Sequence, residues 1–80
     1  MRLDKYLKVS RIIKRRTLAS EACDASRISV NGKIAKASYE VRIGDIIKIN
    51  IGAKPIKVRC EAVSEHVLKE AAASMYSVIE

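Results

Sequence analysis

Residues 27–35 read Arg27-Ile28-Ser29-Val30-Asn31-Gly32-Lys33-Ile34-Ala35. Polar and apolar residues alternate up to Val30, the pattern of a strand with one face buried. Asn31-Gly32 then supplies the two positive φ angles that a type I′ turn requires, and Lys33 to Ala35 continue as a partner strand. The stretch therefore predicts a β-hairpin. It also marks a boundary, because the apolar period is 3.6 before Ser26 and 2 after it.

Working back from the hairpin, Leu18, Ala19, Ala22 and Cys23 recur on one face of a helix predicted from about Arg15 to Ala25, with Ser20, Glu21 and Asp24 on the other. Further upstream, Leu3, Tyr6, Leu7 and Ser10 fall at i, i+3, i+4 and i+7 of a first short helix. Ile12 and Ile13 break the phase between the two, and Asp4 is placed to cap amides at the first helix's start. Working forward, a polar stretch from Lys36 to Glu40 leads to Val41, and Gly44-Asp45 turns into a strand over Ile46–Ile51. A turn at Gly52 to Pro55 opens a strand from Ile56 to Val63, with Ile56, Val58, Cys60 and Ala62 predicted inward. Lys69 to Tyr76 has helix formers, and Ser77-Val78-Ile79 reads either as a frayed end or as a pairing strand. The expected fold is α+β, two helices packed on a small, mostly antiparallel sheet, with a short C-terminal tail that is helical or irregular. Residues 1–63 form the domain with its sheet extension and residues 64–80 an acidic tail.

Eighty residues allow one domain and a thin core, burying roughly 60–65% of the surface the unfolded chain exposes. With 49% hydrophobic residues and a mean hydropathy of −0.01, the composition is that of a folded domain and not of a disordered basic tail. The net charge is +7 and is unevenly spread. In residues 1–16, seven Lys or Arg against Asp4 alone give +6; residues 17–60 add +4; residues 61–80 carry −3. Such a field attracts polyanions, nucleic acid above all. Arg2, Lys5, Arg11, Lys14, Arg15 and Arg16 supply it at the amino end, and the hairpin supplies Arg27, Asn31 and Lys33 near the same edge as further contacts. There is no Trp or Phe, and the three Tyr are scattered, so a base-stacking platform is not expected. The composition points instead to a reader of structured, double-helical RNA or DNA that grips phosphates.

Catalysis and metal binding are poorly served. His66 is the only histidine, beside Glu65 in the acidic segment, and reads as a surface residue. Cys23 and Cys60 are isolated thiols with no CxxC spacing, expected to be buried and reduced. Walker, GxGxxG and GxSxG patterns are missing. A non-enzyme without metal or cofactor is expected. With no apolar run near the roughly 20 residues of a membrane span and no secretory signal, the expected location is the cytoplasm, with no membrane partner.

Four stretches in this order, Arg2-Leu3-Asp4-Lys5-Tyr6-Leu7, Arg16-Thr17-Leu18-Ala19, Arg27-Ile28-Ser29-Val30-Asn31-Gly32 and Val41-Arg42-Ile43-Gly44-Asp45-Ile46, resemble the S-four RNA-binding domain family. The chain is most similar to its small stand-alone members, those of ribosome quality control and the related fifteen-kilodalton heat-shock RNA-binding protein. The resemblance implies a factor that binds obstructed large ribosomal subunits carrying peptidyl-tRNA. Its partners would be large-subunit ribosomal RNA, tRNA and an RqcH-type factor that adds C-terminal alanines, and it would act as a monomer. Arg2 and Arg16 are the foremost RNA-contacting residues by resemblance, and Leu3, Leu7, Leu18, Ala19 and Ala22 match core positions. Many members have Gly where Arg11 and Ser26 stand, so Ser26 must adopt a helix-ending conformation that Gly reaches more cheaply. A heat-shock-like factor recycling subunits, a helix-turn-helix DNA regulator, and an interaction module acting through the acidic tail are the alternatives.

Overall fold

A computed structural model describes residues 1–64 and 69–79. His66 and Glu65 lie outside the described residues. Helix α1 spans Leu3–Val9 and α2 Arg16–Asp24. Strands β1 (Ile28–Val30), β2 (Lys33–Ile34), β3 (Ile46–Ile49) and β4 (Ile56–Cys60) follow, then a 3-10 helix over Lys69–Met75 and strand β5 at Tyr76–Val78. The sheet order is β2-β1-β3-β4-β5, and all four pairings are antiparallel. The expected α+β architecture is the one observed.

The hairpin forms because its turn chemistry is met. Asn31 and Gly32 have φ of 53° and 85°, and Val30 pairs with Lys33 across them. A second device locks the turn to the neighbouring strand. Asn31 Nδ2 donates to Asp45 Oδ1 at 3.1 Å, and Asn31 Oδ1 accepts the Ile46 amide at 3.0 Å. Tyr39 Oη and the Arg42 amide donate to Asp45 Oδ2 at 2.9 and 3.0 Å. The buried Asp45 carboxylate is thereby fully engaged.

One face of the sheet is covered by the helices. Leu3, Tyr6 and Leu7 of α1 and Ala19, Ala22 and Cys23 of α2 meet Ile28, Val30, Ile47, Ile49, Val58 and Cys60 in one cluster. The small residues of α2 let the two helices approach closely. Leu18, expected in this core, is 50% exposed. Its position lies about 100° around α2 from Ala19, and it turns into an open apolar groove shared with Ile12, Ile13, Ile49, Ile51 and Ile56. Ile56, also expected inward, is exposed at the sheet's far end in the same groove. Both cysteines are free and buried.

Two strands are shorter than expected. β3 ends at Ile49, although the Asn50 amide still bonds the Arg27 carbonyl at 2.8 Å. β4 ends at Cys60 because the Glu61 and Ala62 amides both turn to the Met75 carbonyl, at 2.8 and 3.2 Å, which leaves Ala62 only half-buried. The same carbonyl accepts the buried Tyr6 hydroxyl at 2.7 Å. The C-terminal segment therefore contributes an edge strand to the sheet and Met75 to the core.

Both helices end on a non-glycine residue in the left-handed region, Arg11 at φ 65° and Ser26 at φ 60°. After α2 the Ser26 amide bonds Cys23 O and the Arg27 amide bonds Ala22 O, each at 3.0 Å, the paired bonds of a Schellman motif. Ser26→Gly should relieve the Cβ crowding, stabilise the fold by about 0.5–1 kcal/mol and raise the melting temperature by about 2–8 °C. Thermal unfolding followed by circular dichroism checks this; an unchanged or lower midpoint would show that the serine hydroxyl contributes what the glycine would gain.

Candidate nucleic-acid interface

Two of the amino-terminal basic residues, Arg2 and Arg16, converge because a single carboxylate gathers them. Asp4 sits in the first turn of α1 and is 3% exposed. It does not cap the helix as expected: Arg2 holds the N-cap position, with no side-chain cap bond, and Asp4 Oδ1 accepts the next residue's amide, Lys5 N, at 2.8 Å. Arg2 Nε and Nη2 donate to Asp4 Oδ1 and Oδ2 at 3.2 and 3.4 Å. Arg16 Nε pairs with Asp4 Oδ2 at 3.4 Å. Burial alone would raise the Asp4 pKa, but the Arg2 bond, the Lys5 amide and Arg16 outweigh it and hold it below the usual value.

Each arginine keeps about half its side-chain surface exposed, 52% for Arg2 and 48% for Arg16. A guanidinium has five N–H donors, so each retains donors for a phosphate after bonding Asp4. Arg16 opens α2, a helix with neither a side-chain cap nor an acidic residue in its first turn. Its uncapped amides and the positive end of the helix dipole add to the same field. Two half-free guanidiniums and this helix end form a compact anion-attracting corner.

The other sequence-predicted residues divide into groups. Lys14 and Arg15 are exposed in the connection just before Arg16, and Arg11 is exposed at the end of α1. Lys5 is half-buried one residue from Asp4. Arg27 is exposed at the other end of α2, on the rim of the apolar groove, roughly 15 Å along the helix from Arg16. The Asn31 side chain is spent on the Asp45 lock, which is a structural role. Lys33 lines a recess beside the hairpin with Lys36 and Tyr39.

Lys36 is a basic residue of this region that sequence reasoning does not single out. It shares a recess of about 510 Å³ with Arg2, Ser20, Ser26 and Ser38. The segment reaches Arg2 because the Leu3 amide bonds the Tyr39 carbonyl at 2.8 Å and the Asp4 amide bonds the Ala37 carbonyl at 3.2 Å. An isolated antiparallel backbone pairing of Arg2 with Glu40 and an ion pair from the amino terminus to Glu40 complete the junction. Nothing in the polar stretch from Lys36 to Glu40 signals that pairing in the sequence.

Each acidic hub yields a prediction. Asp4→Asn keeps an acceptor for the Lys5 amide but removes the charge shared by both arginines. With the arginines half exposed, the expected loss is about 1–2 kcal/mol at pH 7. Because the folded-state pKa is depressed, this stabilisation is full above the ordinary Asp pKa near 4 and disappears as the pH falls through the lower folded value. Urea titrations of both proteins should therefore differ at pH 7, begin to converge as the pH falls below about 4 and meet only below the depressed folded pKa; a gap that does not narrow in acid would contradict the charge assignment. Asn31→Ala loses two bonds and the tolerance for positive φ, so it should cost about 2–3 kcal/mol while the surviving folded fraction binds RNA with unchanged affinity.

Comparison with known proteins agrees with this layout. The pattern of the S4 domain matches residues 1–47. The chain is 50% identical to the RQC P-site tRNA stabilizing factor of Bacillus subtilis, over 100% of this chain and 93% of that one. It is 54% identical to the factor of the same name from Halalkalibacterium halodurans, over 98% of this chain and 89% of the other. Among solved structures, a trimeric Vibrio cholerae heat shock protein 15 superposes with a TM-score of 0.91 at 30% identity, covering 99% of this chain and 81% of that chain. A hypothetical protein, HP1423, gives a TM-score of 0.84 at 28% identity, covering 100% and 98%. The chain belongs to the S4 domain family, in the group of the RQC P-site tRNA stabilizing factors.

Proposed function

We propose that this protein is a ribosome-associated RNA-binding factor that acts on obstructed large subunits carrying peptidyl-tRNA. It contacts ribosomal RNA and the tRNA beside it, and holds the tRNA while an RqcH-type factor extends the chain with alanine. The reading rests on one observation above the others: Asp4 holds Arg2 and Arg16 together at the starts of both helices, half exposed and with N–H donors to spare. Phosphate oxygens are the acceptors that such a pair suits. The names of the similar proteins supply the ribosomal setting, and no helix among the described residues is long and apolar enough to cross a membrane.

The work proposed is positional. A phosphate contact carries no sequence information, so the protein would recognise the shape of an RNA stem and fix the tRNA's place beside it. The chain carries out no bond-making in this scheme. We further propose that a single copy acts in the cytoplasm.

The helix-turn-helix alternative fares worse. A recognition helix needs donors along one exposed face, whereas beyond its first turn α2 buries Ala19, Ala22 and Cys23 and exposes the acidic Glu21 and Asp24. The subunit-recycling alternative gains weight from the likeness to heat shock protein 15 but matches at lower identity than the tRNA stabilizing factors.

Arg2→Ala combined with Arg16→Ala should reduce co-sedimentation with large subunits bearing peptidyl-tRNA by at least tenfold. Every arginine–phosphate pair removed should flatten the dependence of log K on log salt by roughly 0.7–0.9. Undiminished binding by a variant with a native circular dichroism spectrum would refute the assigned surface. A deletion strain that still adds alanine tails to stalled chains would refute the tailing role and favour recycling.

A further inference from the structure

Strand pairing assembles a second group of cations that the sequence scatters. In the β3–β4 ladder Lys48 stands directly opposite Lys57. Arg59, two residues further along β4, shares their face and pairs with Ile46 on one side and Ser77 on the other. Ser29 of β1 pairs with Lys48 and adds a hydroxyl. The alternate residues Ile28, Val30, Ile47, Ile49, Val58 and Cys60 fill the core under the helices. Lys48, Lys57 and Arg59 therefore project from the opposite face, where Lys48 and Arg59 are exposed and Lys57 is half-buried.

No described carboxylate forms an ion pair with these charges. Among the described residues the ion pairs join the amino terminus to Glu40 and Arg2 and Arg16 to Asp4, and none reaches the three sheet cations. The carboxylate at that edge of the sheet, Glu61, accepts the Ser77 hydroxyl at 2.6 Å. Like charges placed directly opposite across a ladder destabilise it. Among the described residues no carboxylate offsets the Lys48–Lys57 repulsion in the five-stranded sheet. A surface of this kind is complementary to a polyanion. It offers two flexible ammonium groups and one planar fork to phosphates, and no aromatic ring on which a base could stack.

We infer that this sheet face, through Lys48, Lys57 and Arg59, is a second RNA-backbone-binding surface, so that the domain is held between two RNA segments. The inference rests on the RNA-binding reading given above and adds where the second RNA lies. The molecule measures 28 × 25 × 24 Å, and the core and the sheet lie between the Arg2–Arg16 corner and the sheet cations. Double helices are stiff over many times that distance, so one short stem cannot bend around to both. At physiological salt the fields decay over about 8 Å, so the two faces bind independently. A body of this size with cations on two sides is a spacer that fixes the distance between two stems.

A bridging experiment on the full chain tests this. A biotinylated RNA hairpin is immobilised, protein is added, and capture of fluorescent tRNA is measured. Wild type should capture tRNA. The triple variant Lys48→Gln, Lys57→Gln, Arg59→Gln should still bind the hairpin while capturing at least tenfold less tRNA, with its salt slope reduced by roughly two to three because three cations no longer neutralise phosphates. Lys48→Gln alone relieves the like-charge pair, so it should melt no lower than wild type and still flatten the slope by about 0.9. Capture by the folded triple variant at the wild-type level would overturn the inference. So would failure of wild type to bridge; if wild type still co-sediments with obstructed subunits, the function proposed above stands without it. Dependence of anionic phospholipid vesicle binding on these residues, with RNA bridging unaffected, would assign the face to a lipid surface and overturn it as well.

Discussion

Asp4 is the constraint on which the functional end of the molecule depends. A carboxylate this deeply buried stays charged only if it is well bonded, and the bonds it takes come from an amide of α1 and from two arginines that start different helices. Satisfying one buried charge thereby fixes the relative placement of α1 and α2 at their amino ends. It also prevents two guanidiniums from repelling one another. The arginines arrive at the surface already oriented, which lowers the conformational entropy lost when a phosphate binds. Core chemistry and surface chemistry meet at this residue.

Asp45 does for the sheet what Asp4 does for the helices. It receives the hairpin turn through Asn31, the preceding loop through Tyr39 and the Arg42 amide, and its own backbone carbonyl accepts the Cys60 amide at 2.8 Å. These bonds set where β3 begins relative to β1 and β4. A slip of one residue would turn Lys48 into the core and Ile47 out to solvent. The position of every sheet cation is thus a consequence of a turn lock several residues away.

The elements that local chemistry dictates were legible in the sequence. Asn31-Gly32 placed the hairpin, and the 3.6-residue recurrence of Leu3, Tyr6 and Leu7 placed α1 to within a residue or two. Arg2 and Arg16 stood out through the motifs they belong to. Whatever depended on partners distant in sequence was not legible. Leu18 has the spacing of a core residue, yet the narrow contact between the helices is filled by Ala19, Ala22 and Cys23, and Leu18 is left outside. Asp4 reads as an ordinary helix cap until Arg16 is brought beside it. Lys36 gains its neighbour Arg2 only through the Leu3–Tyr39 and Asp4–Ala37 backbone bonds. Lys48 and Lys57 look like unrelated surface lysines until the register pairs them.

The bond from the Tyr6 hydroxyl to the Met75 carbonyl spans 69 residues of sequence, and the same carbonyl closes β4 and launches β5. Tyr6 is the largest fully buried side chain among the described residues, and its hydroxyl would be costly to bury without that acceptor. The polypeptide therefore cannot complete its interior until Met75 has been synthesised. Folding must bring together groups 69 residues apart, which makes assembly cooperative instead of stepwise from the amino end. A factor whose proposed place is on ribosomes with unfinished chains is thus itself a protein whose unfinished form lacks a closed core.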